Sequence, residues 1–161
     1  LRLSVASEGS GLVIRSGERE LTDELRTPEV TAAVSSVARV AAVRGWLLGA
    51  QRAAGARGGL VADGRDMGTV VFPHAGTKIF LTADPVERAR RRLGDHGVHA
   101  PTEGELAQER ARLESRDQVD MEREVSPLRP ADDAVHLDTT ELDFEEQVAE
   151  VVRLARQAAS G

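Results

Sequence analysis

The sequence predicts an α/β protein built on a parallel sheet, and three observations predict it. Short apolar runs at residues 60–62, 78–82 and 134–138 alternate with amphipathic helical stretches. The first run breaks into a loop rich in glycine and charge, Asp63-Gly64-Arg65-Asp66-Met67-Gly68-Thr69, in the place where open α/β sheets bind ligands at their strand ends. At 161 residues the chain has room for one well-buried core, with a mobile subdomain at most, and falls short of two ordinary independent domains.

Each element has a local cause. Residues 1–5 and 12–15 alternate in polarity around the turn residues Glu8-Gly9-Ser10-Gly11, which predicts a small hairpin. Thr27 before Pro28 is a helix start, with Thr27 as N-cap and Pro28 at the first helical position; Val30, Ala33, Val34 and Val37 then form one apolar face. A second helix over 40–54 places Val43, Trp46, Leu47 and Ala50 at helical spacing, with Trp46 expected in the core, and the glycines of 55–59 end it. Strands are expected at 60–62 and 78–82. Asp84-Pro85 opens the next helix, through Glu87, Arg88 and Arg91 to about residue 93. A polar stretch at 94–101 precedes a strongly charged helix over 103–120. A last strand at 134–138 leads into a closing helix over 144–158, with Val148, Val151, Val152 and Ala155 facing inward.

Composition narrows the function. The net charge of −6 argues against a general binder of nucleic acid or anionic membrane, so phosphate chemistry must rest on local arginines. No cysteine is present, which rules out disulfides and thiolate sites within these residues and agrees with a cytoplasmic location. No run approaches the roughly 20 apolar residues of a membrane span. Lys78 is the only lysine, and the other 20 of the 21 basic residues are arginine, through codon usage or through selection for bidentate phosphate contacts. The chain opens on Leu1, already inside a predicted strand, so an upstream piece is expected.

Two segments can carry chemistry. In the loop at 63–69, Gly64 and Gly68 let the backbone turn sharply, Asp63 and Asp66 can hold Mg²⁺, water or base amino groups, and Arg65 can clamp phosphate oxygens. The alternative is a solvated turn. In the charged helix, Arg112, Arg116, Asp120 and Arg123 fall within a sector of about 80°. That face is either an exposed salt-bridge ladder, worth a few tenths of a kcal/mol per pair, or a lid that folds over a nucleotide. His96 and His99 have no third or fourth metal ligand nearby, and no G-x-S-x-G elbow occurs.

The segments G-R-D-M-G-T-V-V-F-P, K-I-F-L-T-A with E-R-A-R-R-R, R-D-x-x-D-x-x-R-x-V-S-P-L-x-P-A-D-D-A and L-D-T-T together resemble the bacterial cytidylate kinases. Arg26-Thr27-Pro28-Glu29-Val30, followed by Ser35 and Arg44, resembles their monophosphate-binding insert, and the similarity runs in order along nearly the whole chain. The resemblance implies a P-loop NTPase-like nucleoside monophosphate kinase core. Residues 1–55 would be the monophosphate-binding insert, 56–93 and 129–161 the core, and 94–128 a helical lid. It implies phosphoryl transfer from ATP to CMP or dCMP with Mg²⁺, by an enzyme that is a monomer and takes nucleotides rather than nucleic acid or membrane as partners. By the same resemblance Ser35, Arg44 and Asp66 would recognise cytosine, Arg116 and Asp120 the ribose, and Arg65 and Arg123 the acceptor phosphate. Asp63 would hold Mg²⁺ through water, and Arg88 and Arg91 would lie on the ATP side.

The sequence also departs from that family. No G-x-x-x-x-G-K-[ST] loop occurs, and the single lysine lies in a predicted strand. His74 stands where an acidic residue is more usual, and Met121 where a small hydroxyl residue is. The expectation is therefore a kinase chain lacking its N-terminal phosphate loop, able to contact CMP but poor at phosphorylating it. The alternative is a non-catalytic nucleotide-binding or interaction module.

Overall fold

The computed structural model describes residues 3–8, 11–38, 40–56 and 58–160, arranged as two compact units, 1–49 and 50–161. In the first unit, β1 (Leu3–Glu8) and β2 (Gly11–Ser16) pair antiparallel, with Val5 opposite Ile14, and a two-residue β3 (Arg19–Glu20) extends the sheet. This is the expected hairpin; the starting residues Leu1 and Arg2 and the turn residues Gly9 and Ser10 lie outside the described residues. Helix α1 (Pro28–Val37) begins as expected, the Thr27 hydroxyl accepting from the Val30 N–H at 3.3 Å. Its apolar face is open, since Val34 and Val37 are both about half exposed.

Helix α2 (Ala41–Gly55) runs from the first unit into the second and contains no buried residue. Trp46, expected in the core, is 53% exposed. Helical spacing sets which residues share a face, but burial needs a second layer packed on that face, and Trp46 and Leu47 stay exposed.

The second unit is organised by one parallel pair. Strands β4 (Ile79–Thr82) and β5 (Val135–Asp138) align Phe80 with His136 and Leu81 with Leu137. Between them in sequence lie α3 (Pro85–Asp95) and α4 (Glu103–Met121), packed on each other, and after them comes α5 (Phe144–Ser160). The Asp84 carboxylate caps α3 by accepting from the N–H groups of Val86 and Glu87 at 2.8 and 3.2 Å. Thr102 and Glu105 form a reciprocal capping box on α4, and these hydrogen bonds from Thr102 hold the Glu105 carboxyl below its ordinary pKa. Arg91 of α3 spans to the β5–α5 connection, donating to the Thr139 carbonyl at 2.6 Å and to the Leu142 carbonyl at 3.3 Å.

Two expectations fail here. Residues 60–62 are not a strand; Val61 is 93% exposed, and no described segment pairs with it. An apolar run becomes a strand only where a neighbour takes up its N–H and C=O groups. The inward face expected on α5 is also open, with Val148 and Val152 exposed. The fully buried apolar residues among those described are Val71 and Ala89, whereas Asp117, Asp120, Ser126 and Thr139 are buried polar ones.

The loop after residue 62 is held from several sides. Gly64 has φ +154°, and a Cβ there would stand 2.9 Å from Met67 Cε. Met67–Val71 then form a single π-helical turn, in which the Phe72 N–H donates to the Met67 carbonyl at 2.7 Å. Arg52 donates to the carbonyls of Val70 and Val71 at 2.7 and 3.1 Å. Lys78, nearly buried, donates to the Pro73 carbonyl and pairs with Asp133 at 2.6 Å. No helix among the described residues is long and apolar enough to cross a membrane. Because Gly64 combines positive φ with a close approach, Gly64→Ala is expected to lower the unfolding free energy by about 1–3 kcal/mol; urea denaturation checks this, and no change in midpoint would contradict it.

Candidate functional site

Five charged side chains converge where the glycine-bearing loop, α3 and the end of α4 meet. Asp117 lies between Arg65, whose Nη1 donates to its Oδ1, and Arg88, whose Nη1 is 2.6 Å from its Oδ2. Asp120 lies between Arg65, with Nε 2.8 Å from its Oδ2, and Arg123, whose Nη2 pairs with its Oδ1. The result is an alternating chain, Arg88–Asp117–Arg65–Asp120–Arg123, with a formal charge of +3 − 2 = +1.

The local sequence explains why these groups meet. Along α4 the half-buried or buried positions are Leu106, Glu109, Leu113, Asp117, Val119 and Asp120, and all but Val119 follow a three-and-four spacing that makes one inward stripe. The stripe starts apolar and ends in two carboxylates, and α3 meets it with Arg88. The helix stops at Met121, and the Leu128 N–H folds back onto the Asp120 carbonyl at 2.8 Å, with Ser126 at φ +56°. Arg123 thus reaches Asp120 from beyond the helix end.

Burial and charge oppose each other at Asp117. Burial raises its carboxyl pKa, and the Arg88 and Arg65 guanidiniums together outweigh that and hold it below the ordinary value. Asp120 is 1% exposed, and its two ion pairs lack aligned hydrogen-bond geometry. Arg123 Nε is buried with no hydrogen-bond partner. Arg65 Nη2 and Arg88 Nη2 also donate no hydrogen bond among the described residues. The cluster therefore keeps N–H donors and one unit of positive charge, a combination suited to an oxyanion.

Of the residues singled out from sequence, Arg65, Arg88, Asp120 and Arg123 come together here. Arg112, Arg116 and Asp120 share the expected sector of α4, and Arg123 lies beyond the helix end; Arg112 is exposed and paired with Glu109 at 3.4 Å, and Arg116 is exposed with no ion pair among the described residues, so neither joins the cluster. Asp117 was not anticipated, although its place three residues before Asp120 on the inward stripe signals it. Arg91 is engaged by the connection after β5 and, through Nε, by Glu87 at 2.9 Å. Asp63 is exposed, and Asp66 is half-buried at the head of the π-turn, its carbonyl accepting from Val70 N–H at 2.9 Å. Arg44 is half-buried on α2 in the first unit, and the side chain of Ser35 lies outside the described residues. No group of three or more carboxylate, imidazole or thiol side chains that could hold a metal ion occurs among the described residues.

The depressed Asp117 pKa has a definite sign. A carboxyl that is more acidic folded than unfolded contributes stability above the ordinary carboxylate range and loses it as pH falls through the folded value. Asp117→Asn is therefore expected to flatten the acid limb of thermal stability between about pH 5 and pH 3. Melting curves across that range check it, and parallel limbs for the two proteins would contradict it.

Comparison with known proteins gives this arrangement its context. The family model for cytidylate kinase matches residues 3–157. The chain is 48% identical over 158 residues to the cytidylate kinase of Exiguobacterium sibiricum, covering 98% of this chain and 70% of that protein. It is 49% identical over 154 residues to a cytidylate kinase of Pseudomonas aeruginosa, covering 92% of this chain and 65% of the relative. A bifunctional pantoate ligase/cytidylate kinase of Prochlorococcus marinus is 44% identical over 153 residues, covering 93% of this chain and 30% of that longer protein. With the matched residues running almost end to end, the chain belongs to the cytidylate kinase family.

Proposed function

We propose that this chain supplies the acceptor side of phosphoryl transfer from ATP to CMP or dCMP, giving ADP and CDP or dCDP. The observation that carries the reading is the convergence of Arg65, Arg88 and Arg123 on two buried carboxylates with donors left over, in a chain of this family. In the transfer, an oxygen of the CMP phosphate bonds to the γ-phosphorus of ATP as the bond from that phosphorus to the β–γ bridging oxygen breaks. The nucleophile is already an anion, so no general base is required. Catalysis then consists of alignment and of charge neutralisation on the transferring group.

In this reading Arg65 and Arg123 hold the acceptor phosphate, and Arg88 and Arg91 stand on the ATP side. Asp120 and Arg116 meet the ribose, and Ser35, Arg44 and Asp66 meet the cytosine ring. Mg²⁺ bound to the nucleotide phosphates would supply charge neutralisation at this site. The donor set fits a metal held by phosphate oxygens and water, with exposed Asp63 as an outer partner, and does not fit an all-protein cage. Residues 1–55 act as the acceptor-binding insert, 56–93 and 129–161 as the core, and 94–128 as the lid. The 161 residues contain no G-x-x-x-x-G-K-[ST] motif, so on their own they bind CMP and turn it over slowly at best.

Calorimetric titration with CMP and with UMP tests the reading. A preference for CMP, weakened at least about tenfold by Arg65→Ala at a temperature where the variant is still folded, is expected; equal affinity for CMP and UMP would refute it. A coupled ADP assay on the same chain is expected to show little turnover, and robust turnover would overturn the role given to the absent motif.

A further inference from the structure

Asp117 is the one member of the cluster to which the proposed reaction gives no contact with substrate. It is nonetheless the only described residue ion-paired with both Arg65, from the glycine-bearing loop, and Arg88, from α3. One carboxylate oxygen faces each guanidinium, which fixes the separation of the two groups by the width of a carboxylate. We infer that Asp117 is a positioning residue that yokes Arg65 to Arg88, so that the acceptor-side and donor-side guanidiniums face the same phosphoryl group, the one in transfer. The inference rests on the reading above, in which Arg65 lies on the acceptor side and Arg88 on the donor side.

A carboxylate beside two arginines can instead compete with an incoming anion. The donor inventory decides between these roles. Arg65 meets Asp117 through Nη1 and Asp120 through Nε, Arg88 meets Asp117 through Nη1, and the Nη2 of neither donates a hydrogen bond among the described residues. A guanidinium has five N–H donors in a fixed plane, so a partner on one edge orients the remaining edge without occupying it. Order of this kind is what lets binding energy act on the ligand instead of being lost to side-chain freedom.

The test uses the sign of an effect. Asp117→Asn raises the cluster's formal charge from +1 to +2, so electrostatics alone would tighten anion binding. Loss of affinity can then come only from loss of order. Inorganic pyrophosphate, CMP and cytidine are titrated by calorimetry into wild type, Asp117→Asn, Arg65→Ala and the double variant. The expected result is a loss of about tenfold in pyrophosphate and CMP affinity for Asp117→Asn, no change for cytidine, and no further loss when Asp117→Asn is added to Arg65→Ala. Equal or tighter pyrophosphate binding by Asp117→Asn overturns the inference, as does an equal loss for cytidine.

If wild type binds pyrophosphate but not CMP, and Asp117→Asn weakens it, the cytidylate reading falls and the yoke stands. If wild type binds neither, both fall. Should Asp117→Asn not fold, wild type is followed by arginine Nε–H NMR during pyrophosphate titration. Arg65 and Arg88 signals shifting with one common affinity support the yoke, and shifts at one arginine only, or at neither, overturn it.

Discussion

The second unit depends on burying two carboxylates between three guanidiniums. An ionised carboxylate removed from water loses several kcal/mol of hydration, which its neighbours must return. Asp117 and Asp120 each have two arginine partners to do so, and those partners come from three separate pieces of chain. The ion pairs therefore tie loop, helix and helix end to one another. Among the described residues the fully buried apolar side chains are Val71 and Ala89. Removing one arginine is costly because it leaves a buried charge alone, more than because it removes an attraction.

Around this centre the loop is fixed by contacts to its backbone. Arg52 and Lys78 both donate to loop carbonyls, at Val70, Val71 and Pro73. Gly64 supplies the backbone angle that brings Arg65 to the end of α4. Arg91 does the equivalent work on the other side, joining α3 to the connection after β5. Much of the arginine content is thus structural, and the single lysine is a tether.

Features with a local cause could be read from the sequence. Thr27-Pro28, Asp84-Pro85 and the hairpin around residues 8–11 each satisfy their own backbone groups within a few residues, so sequence sufficed to place them. Features that need a distant partner could not. Residues 60–62 have strand composition but no paired neighbour among the described residues, and Trp46 has helical spacing but stays 53% exposed. The candidate site lies between these cases. Arg65, Asp120 and Arg123 were legible because their chemistry and spacing are distinctive. Asp117 was not, because counting arginines around α4 selected a sector centred on Arg112 and Arg116 rather than the three-and-four stripe that faces α3.

The alternation of signs along Arg88–Asp117–Arg65–Asp120–Arg123 also governs what the site looks like from far away. Neighbouring opposite charges cancel within a few ångströms, leaving one net positive charge in a chain of −6. Beyond the Debye length of about 8 Å at physiological salt, little field remains to draw an anion inward. Toward an anion, such a cluster offers discrimination at contact and little attraction from a distance.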